Sequence, residues 1–257
     1  MRILMIGDVV GRPGRRAVHE FVPALRSELG LDLVTANGEN SAAGFGITQG
    51  TAQEMLDSGV DVITTGNHVW DQKEAIPILD GDTPVLRPLN YPSGAPGRGA
   101  VMSNGVLVVS AQGRTFMPVQ IDDPFQAMTT LVDDLPEKPS AIVVDFHAEA
   151  TSEKAALAWH LDGKVSAVVG THTHVATADQ RVLPNGTAFV SDLGMCGVRD
   201  SIIGDEVAPV LRRFLTGIPV RLTVGDGIAL FNSVLIDTDD QTSLATDIAR
   251  VDRIETA

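Results

Sequence analysis

Five short segments of the 257-residue chain place carboxylate, amide or imidazole side chains directly after runs of β-branched residues. They are Gly7-Asp8, Gly38-Glu39-Asn40, Gly66-Asn67-His68, Asp145-Phe146-His147 and Gly170-Thr171-His172-Thr173-His174. Oxygen and nitrogen donors in this mixture suit manganese, iron or zinc rather than a calcium cage. Without thiolates a structural zinc knot is disfavoured. Each segment alone has a plainer reading. Asp8 could cap a helix and Asn67 could stabilise a turn; His147 could be a hydrogen-bonded buried histidine. His172 and His174, at i and i+2, could share one face of a strand. All of these would have to hold together at equivalent strand ends, so one shared site is the better reading.

The elements that must position these residues follow a strand–helix rhythm. Residues 3–7, 31–36 and 60–64 read as strands, and 15–29 and 49–57 as helices with apolar spacing such as Val18, Phe21, Val22, Leu25 and Leu29. Alternation of this kind predicts a parallel sheet covered by helices. In such sheets, loops beyond the carboxyl ends of the strands face one crevice. The glycines beside four of the five segments favour sharp turns and close backbone approach. Residues 71–79 read as helical. Residues 87–99, rich in Pro and Gly, read as a long surface loop. Asn104-Gly105 and Pro184-Asn185-Gly186 signal hairpins. Further on, 124–132 and 153–160 read as helices, while 141–144, 165–169, 220–224 and 227–236 read as strands. The polar end, 237–257, is not assignable. The expected architecture is α/β, two packed mixed β-sheets flanked by helices, in a single domain spanning 1–257.

Composition narrows the classes of function. Hydrophobic residues make up 44% and aromatics 4%, so the core must be aliphatic. A formal net charge of −14 disfavours a duplex nucleic acid partner, whose phosphates need a basic surface. A local cation such as bound metal could still attract a small anionic substrate. The chain has no apolar run of about 18 residues, and its N-terminal stretch is too short for a signal peptide, so no membrane partner and a cytoplasmic location are expected. The lone Cys196 rules out an internal disulfide and reads as a structural thiol.

The stretches IGDVVGRPGR at 6–15, NGEN at 37–40, TTGNHVWD at 64–71, RPLNYP at 87–92, VDFHAEATSEK at 144–154 and VVGTHTHV at 168–175 occur in this order over essentially the whole chain. Together they resemble the YmdB-like phosphodiesterases of the calcineurin-like metallophosphoesterase superfamily. The resemblance implies that Glu39 bridges two metal ions, with Asp8, Asn40 and His174 completing one site and Asn67, His147 and His172 the other. His68 would stand beside them as general acid. The superfamily's usual Asp-x-His is absent, since Val9 and Val10 follow Asp8, and Asn40 would take the place of that first-site histidine.

Two divalent transition-metal ions, iron or manganese first and zinc next, would acidify a shared water for in-line attack on phosphorus. His68 would protonate the departing alkoxide; Asp71 could orient it, although a helix N-terminal role for that aspartate is at least as heavy a reading. The resemblance points to 2',3'-cyclic nucleotides or similar small phosphodiesters; the residues themselves point only to a phosphoester. Asn90, Tyr91 and Arg98 could contact substrate, although a rigid surface loop is the heavier reading. The alternatives are a phosphomonoesterase or protein phosphatase on the same metals, and a non-catalytic metal-dependent regulator that binds nucleotide or RNA. His68 favours catalysis, because a pure binding site needs no proton donor. A homo-oligomer is compatible with the sequence.

Overall fold

Strand β1 (Arg2–Val9) is buried from Ile3 onward because it lies between two layers. Leu4 and Ile6 pack with Val18, Val22 and Leu25 of helix α1 (Gly11–Leu29), while Ile3 and Met5 face the opposite way into the interior. Each of those three helix side chains contributes roughly 1.5–3 kcal/mol by leaving water. Burial on both faces explains why the strand reads as a continuous apolar run. The computed structural model of the chain describes residues 1–256.

Around β1 the first sheet places β2 (Leu33–Asn37) and then β3 (Val62–Thr64) in parallel on one side. The other side is divided. Antiparallel β12 (Ser233–Thr238) pairs with residues 2–6, and parallel β10 (Met195–Val198) pairs with Asp8 and Val9. Beyond them lie β13 (Ala245–Arg250), β11 (Ala229–Phe231) and β14 (Arg253–Ile254). The second sheet runs β4 (Ala100–Ser103), β5 (Val106–Gln112), β6 (Ala141–His147), β7 (Ala167–Thr171), β9 (Ala188–Val190), β8 (Arg181–Val182), with a parallel centre and antiparallel edges.

The sheets meet through an aliphatic layer that includes Met5, Leu33, Val62, Val108, Val143, Val169 and Val190. Helices α1 and α2 (Gln49–Asp57) cover the outer face of the first sheet, joined by α3 (Ala75–Asp80). Helices α4 (Pro124–Asp133) and α5 (Thr151–His160) cover the second. The architecture is the expected helix, sheet, sheet, helix stack.

Period-two alternation aims the strand ends. On β6, Ala141 and Val143 face the other sheet and Ile142, Val144 and Phe146 face the helices, so Asp145 and His147 follow Val143 to the inner face. On β1 the same count would send Asp8 toward the helices with Leu4 and Ile6. A register shift between Ile6 and Asp8 pairs Asp8 directly with Asn37. This bulge at Gly7 turns the carboxylate into the mouth between the sheets. A Cβ on Gly7 would collide with the Gly194 carbonyl, so the close approach needs glycine here.

Three expectations need correction. The helix at 71–79 is only Ala75–Asp80, because 66–74 is drawn into turns, with Asp71 bonded to His68. Residues 220–224 form no strand: among the described residues, the segment has only an isolated bridge from Val224 to Asp205, and its apolar alternation finds no sheet edge. The run 227–236 breaks at Asn232 into β11 and β12, which pair with different strands. Helix α6 (Val207–Thr216) was not anticipated, and the 237–257 end supplies β13 and β14 up to Ile254, with Ala257 outside the described residues.

Candidate metal centre

The carboxyl ends of β1, β2, β3, β6 and β7 open at one mouth, and all five segments singled out by residue type meet there. Four donors crowd together. His147 Nε2 lies 2.8 Å from Glu39 Oε1, 3.0 Å from Asn67 Oδ1 and 3.1 Å from His172 Nδ1. Donors about 3 Å apart are what an ion with bonds of about 2.0–2.2 Å would gather around itself. Beside them, Asn40 Nδ2 is 3.1 Å from His174 Nε2, which lies 3.7 Å from Asp8 Oδ1. Turning the Asn40 amide over would present its oxygen to the same spot. Asp8 Oδ1 is also 3.8 Å from His147 Nδ1, so the two groups adjoin.

The buried polar atoms ask for a cation. Asp8 Oδ1 and Glu39 Oε1 are buried without a hydrogen-bond donor aimed at them, although Glu39 Oε1 stands close to the His147 ring. Unsatisfied buried carboxylate oxygens are costly. Burial pushes the Asp8 carboxyl up to about 6 despite His174 and His147 nearby. Burial also acts against the charges of Glu39 and His147, yet each outweighs it for the other: Glu39 is held at about 2 and His147 raised to about 9. A proton on His147 thus stands in for positive charge that the pocket favours. His172, desolvated and next to His147, is lowered to about 3 and keeps a lone pair available. The donor set therefore fits divalent metal ions. Glu39, His147 and His172 alone bring ligand atoms within 4.8 Å of one another.

Hydrogen bonds behind the donors set their orientation. Thr171 Oγ1 donates to Asp145 Oδ1 at 2.6 Å and so can only accept from His147 Nδ1–H, 2.9 Å away. That leaves Nε2 facing the cleft. Asn37 Nδ2 and Thr64 Oγ1 donate to the other Asp145 oxygen, at 2.9 and 2.5 Å. His172 Nε2 reaches Glu149 Oε2 at 3.1 Å, and His174 Nδ1 donates to the Ile203 carbonyl at 2.8 Å. His172 and His174 lie on a loop after β7 with φ of 95° and 63°, a left-handed backbone that non-glycine residues rarely adopt. The loop is pinned by a buried ion pair. Lys154 Nζ donates to Asp192 Oδ2 at 2.8 Å, and the same oxygen accepts from the Thr173 amide and hydroxyl at 3.1 and 2.7 Å.

His68 sits at the rim rather than in the crowd. Its amide donates to Glu39 Oε2 at 3.1 Å and its Nδ1 lies 2.7 Å from Asp71 Oδ2, which leaves Nε2 free. A Cβ at Gly66 would fall inside the His147 ring, so glycine here serves packing rather than a special dihedral. Cys196 is buried, and burial pushes its thiol far up, as suits a structural role.

The structure joins all eight proposed site residues and sets aside the 87–99 loop. Asn90 is buried and its amide bonds the Gln112 and Asp122 carbonyls; Arg98 bonds those of Gly81 and Thr83. Tyr91 packs edge-on against Trp70. The bonds of Asn90 and Arg98 rigidify the loop. The supporting residues Asp145, Thr171, Glu149, Lys154 and Asp192 were missed as such. Asp145 was legible from its inner-face parity with His147, and a lysine inside a motif stretch was the signal for Lys154.

Residues 4–251 match the family model described as YmdB-like protein. The chain is 48% identical over 255 residues to the 2',3'-cyclic-nucleotide 2'-phosphodiesterase of Bacillus subtilis (strain 168), covering 98% of this chain and 96% of that protein. A hypothetical protein from Thermus thermophilus superimposes with a TM-score of 0.93 at 44% identity, with 100% of each chain covered. The crystal structure of a novel phosphatase from Mycoplasma pneumoniae gives a TM-score of 0.92 at 31% identity, covering 99% of this chain and 93% of that one.

Proposed function

The chain belongs to the YmdB-like family of phosphoester hydrolases, and we propose that it is a phosphodiesterase acting on small diesters such as 2',3'-cyclic nucleotides with two divalent transition-metal ions, iron or manganese. Residues 1–257 would act as one domain, because both sheets contribute ligands. The carrying observation is the convergence of seven donors with two orphaned carboxylate oxygens beside a histidine that none of them needs. Glu39 would be shared, Asp8, Asn40 and His174 would hold one ion, and Asn67, His147 and His172 the other. Such a pair of ions would supply an acidified water and offset the charge of the phosphoryl oxygens.

The chain's own groups do the rest. Asp145, through Thr171, keeps His147 Nε2 toward the cleft. Glu149 and the Ile203 carbonyl orient His172 and His174. His68, with Nδ1 held by Asp71, offers Nε2–H to the departing ribose oxygen, while its position at the rim keeps it clear of the ligand cluster. Among the described residues no helix is long and apolar enough to cross a membrane.

The test compares hydrolysis of adenosine 2',3'-cyclic phosphate with that of adenosine 3'-monophosphate by protein loaded with manganese or iron. The cyclic diester should turn over and the monoester should not. Turnover of the monoester alone would replace this reading with a phosphomonoesterase, the activity suggested by the word phosphatase for the Mycoplasma pneumoniae structure.

A further inference from the structure

The cleft above the candidate ligands, about 240 Å³ in volume, has a second wall that the metal centre does not use. Phe45 stands on it, 42% exposed, in a chain with only 11 aromatic residues of which Phe146, Phe189 and Phe231 are fully buried in the core. The loop carrying it is built to hold it out. Gly44 and Gly46 take φ of 96° and 76°, and Gln72 Nε2 pins the Phe45 carbonyl at 2.8 Å. The ring meets that of His68 edgewise, with centroids 5.1 Å apart. Facing it are Ile203, 49% exposed, and Leu222.

Among the described residues Arg213, on the last turn of α6, is the only lysine or arginine lining this cleft. Among the described residues its guanidinium has no hydrogen-bond or carboxylate partner, a state it shares with Arg12, Arg212 and Arg221, none of which lines the cleft. An unpaired guanidinium beside a metal centre, on a chain with a net charge of −14, is the group that would draw in and align an anion. An exposed aromatic next to the general acid candidate offers a face on which any base can stack.

Resting on the phosphodiesterase reading above, we propose that Phe45 and Arg213 form a nucleotide-recognition subsite, in which Phe45 carries the base and Arg213 pairs with a non-bridging phosphate oxygen. Ile203 and Leu222 would close the apolar side of the base. Placed beside His68, the base would fix the ribose so that the scissile oxygen meets Nε2. The substrates selected would be nucleoside cyclic phosphates over base-free cyclic phosphates of the same charge.

Calorimetry on the metal-loaded protein tests this with two ligands that share a phosphate, adenosine 3'-monophosphate and glycerol phosphate. Wild type should bind the nucleotide more tightly. Phe45→Ala should weaken the nucleotide about 5- to 150-fold, the range of aromatic–base stacking, and leave glycerol phosphate unchanged. Phe45→Tyr should restore the preference. Arg213→Ala should weaken both ligands and Arg213→Lys less so, with metal content and thermal midpoint unchanged in every variant. Equal losses on the two ligands for Phe45→Ala, no loss in either alanine variant, or no preference in wild type would overturn the subsite. Turnover of adenosine and glycerol cyclic phosphates separates this from the parent reading. Equal kcat/KM on both sinks the subsite and spares the phosphodiesterase, while tight nucleotide binding with no diester turnover does the reverse.

Discussion

The two halves of the candidate centre are built differently. Around His147 Nε2, three donors lie within 2.8–3.1 Å, and His147 itself closes β6 with its ring fully buried. Around His174 the spacings widen to 3.1–3.7 Å, and the histidine is steered by a carbonyl from the 199–206 loop rather than by a strand. One half is centred on a histidine preset by its strand end and the polar network beneath it. The other is finished by loops. A preset half loses less conformational freedom when it closes on an ion, so the His147 half should fill first.

The strongest way to break this contrast is to remove what the two halves share. The loop carrying both His172 and His174 rests on Lys154 and Asp192, each 1% exposed. Lys154→Met would leave Asp192 buried without its partner, at a cost of about 3–5 kcal/mol, and leave Thr173, between the two histidines, bonded to an uncompensated carboxylate. Chemical denaturation should show that loss and elemental analysis should show both ions depleted. Unchanged stability would mean that the pair is not needed.

His68→Ala should leave both halves intact and lower kcat by about 10²- to 10⁴-fold on a cyclic nucleotide. The loss should shrink on an activated aryl diester, whose leaving group needs little protonation. Equal losses would make His68 a positioning residue. Thr171→Val acts on the preset half alone: without the hydroxyl, His147 Nδ1 loses its acceptor, and affinity at that half should fall by about 10- to 100-fold. The His174 half should keep its own affinity in the same titration.

Proton competition gives a further contrast. In the metal-free protein Glu39 raises His147 above its ordinary value to about 9, so that half binds metal by displacing a proton. Its apparent affinity should therefore fall by about tenfold per pH unit below 9, with about one proton released per ion at pH 7. The same shift has a sign for stability. The raised pKa favours the metal-free fold below the unfolded value of 6.5, and that contribution disappears as pH rises through about 9. Titrations in buffers of different ionisation enthalpy measure the proton count, and a count of zero would contradict the coupling.

Much of this arrangement was legible in the sequence because it depends on local periodicity. The inner-face positions of β6 and the hairpin turns at Asn104-Gly105 and 184–186 follow from the alternation of residues and from turn chemistry alone. Asn104 and Gly105 take φ of 49° and 79°, as such a two-residue turn requires. What stayed hidden depends on contacts far apart in the chain. The bulge that turns Asp8 inward exists because Gly7 meets Gly194, and the Lys154–Asp192 pair joins residues 38 apart. Helix α6 was readable in the spacing of Val207, Val210, Leu211 and Phe214, but its apolar side stays largely exposed, so no core pattern continued through it. Residues 220–224 show the converse, a strand-like alternation that, among the described residues, finds only the single bridge from Val224 to Asp205.

In the proposed centre Glu39 joins both halves into one dinuclear site. Electron paramagnetic resonance of metal-free protein titrated with manganese tests it most directly. The wild type should pass from an uncoupled signal at one equivalent to an exchange-coupled dimanganese signal at two, and Glu39→Gln should never develop the coupled signal. A second equivalent that binds with only uncoupled spectra in the wild type, or coupling that survives Glu39→Gln, would contradict the shared centre.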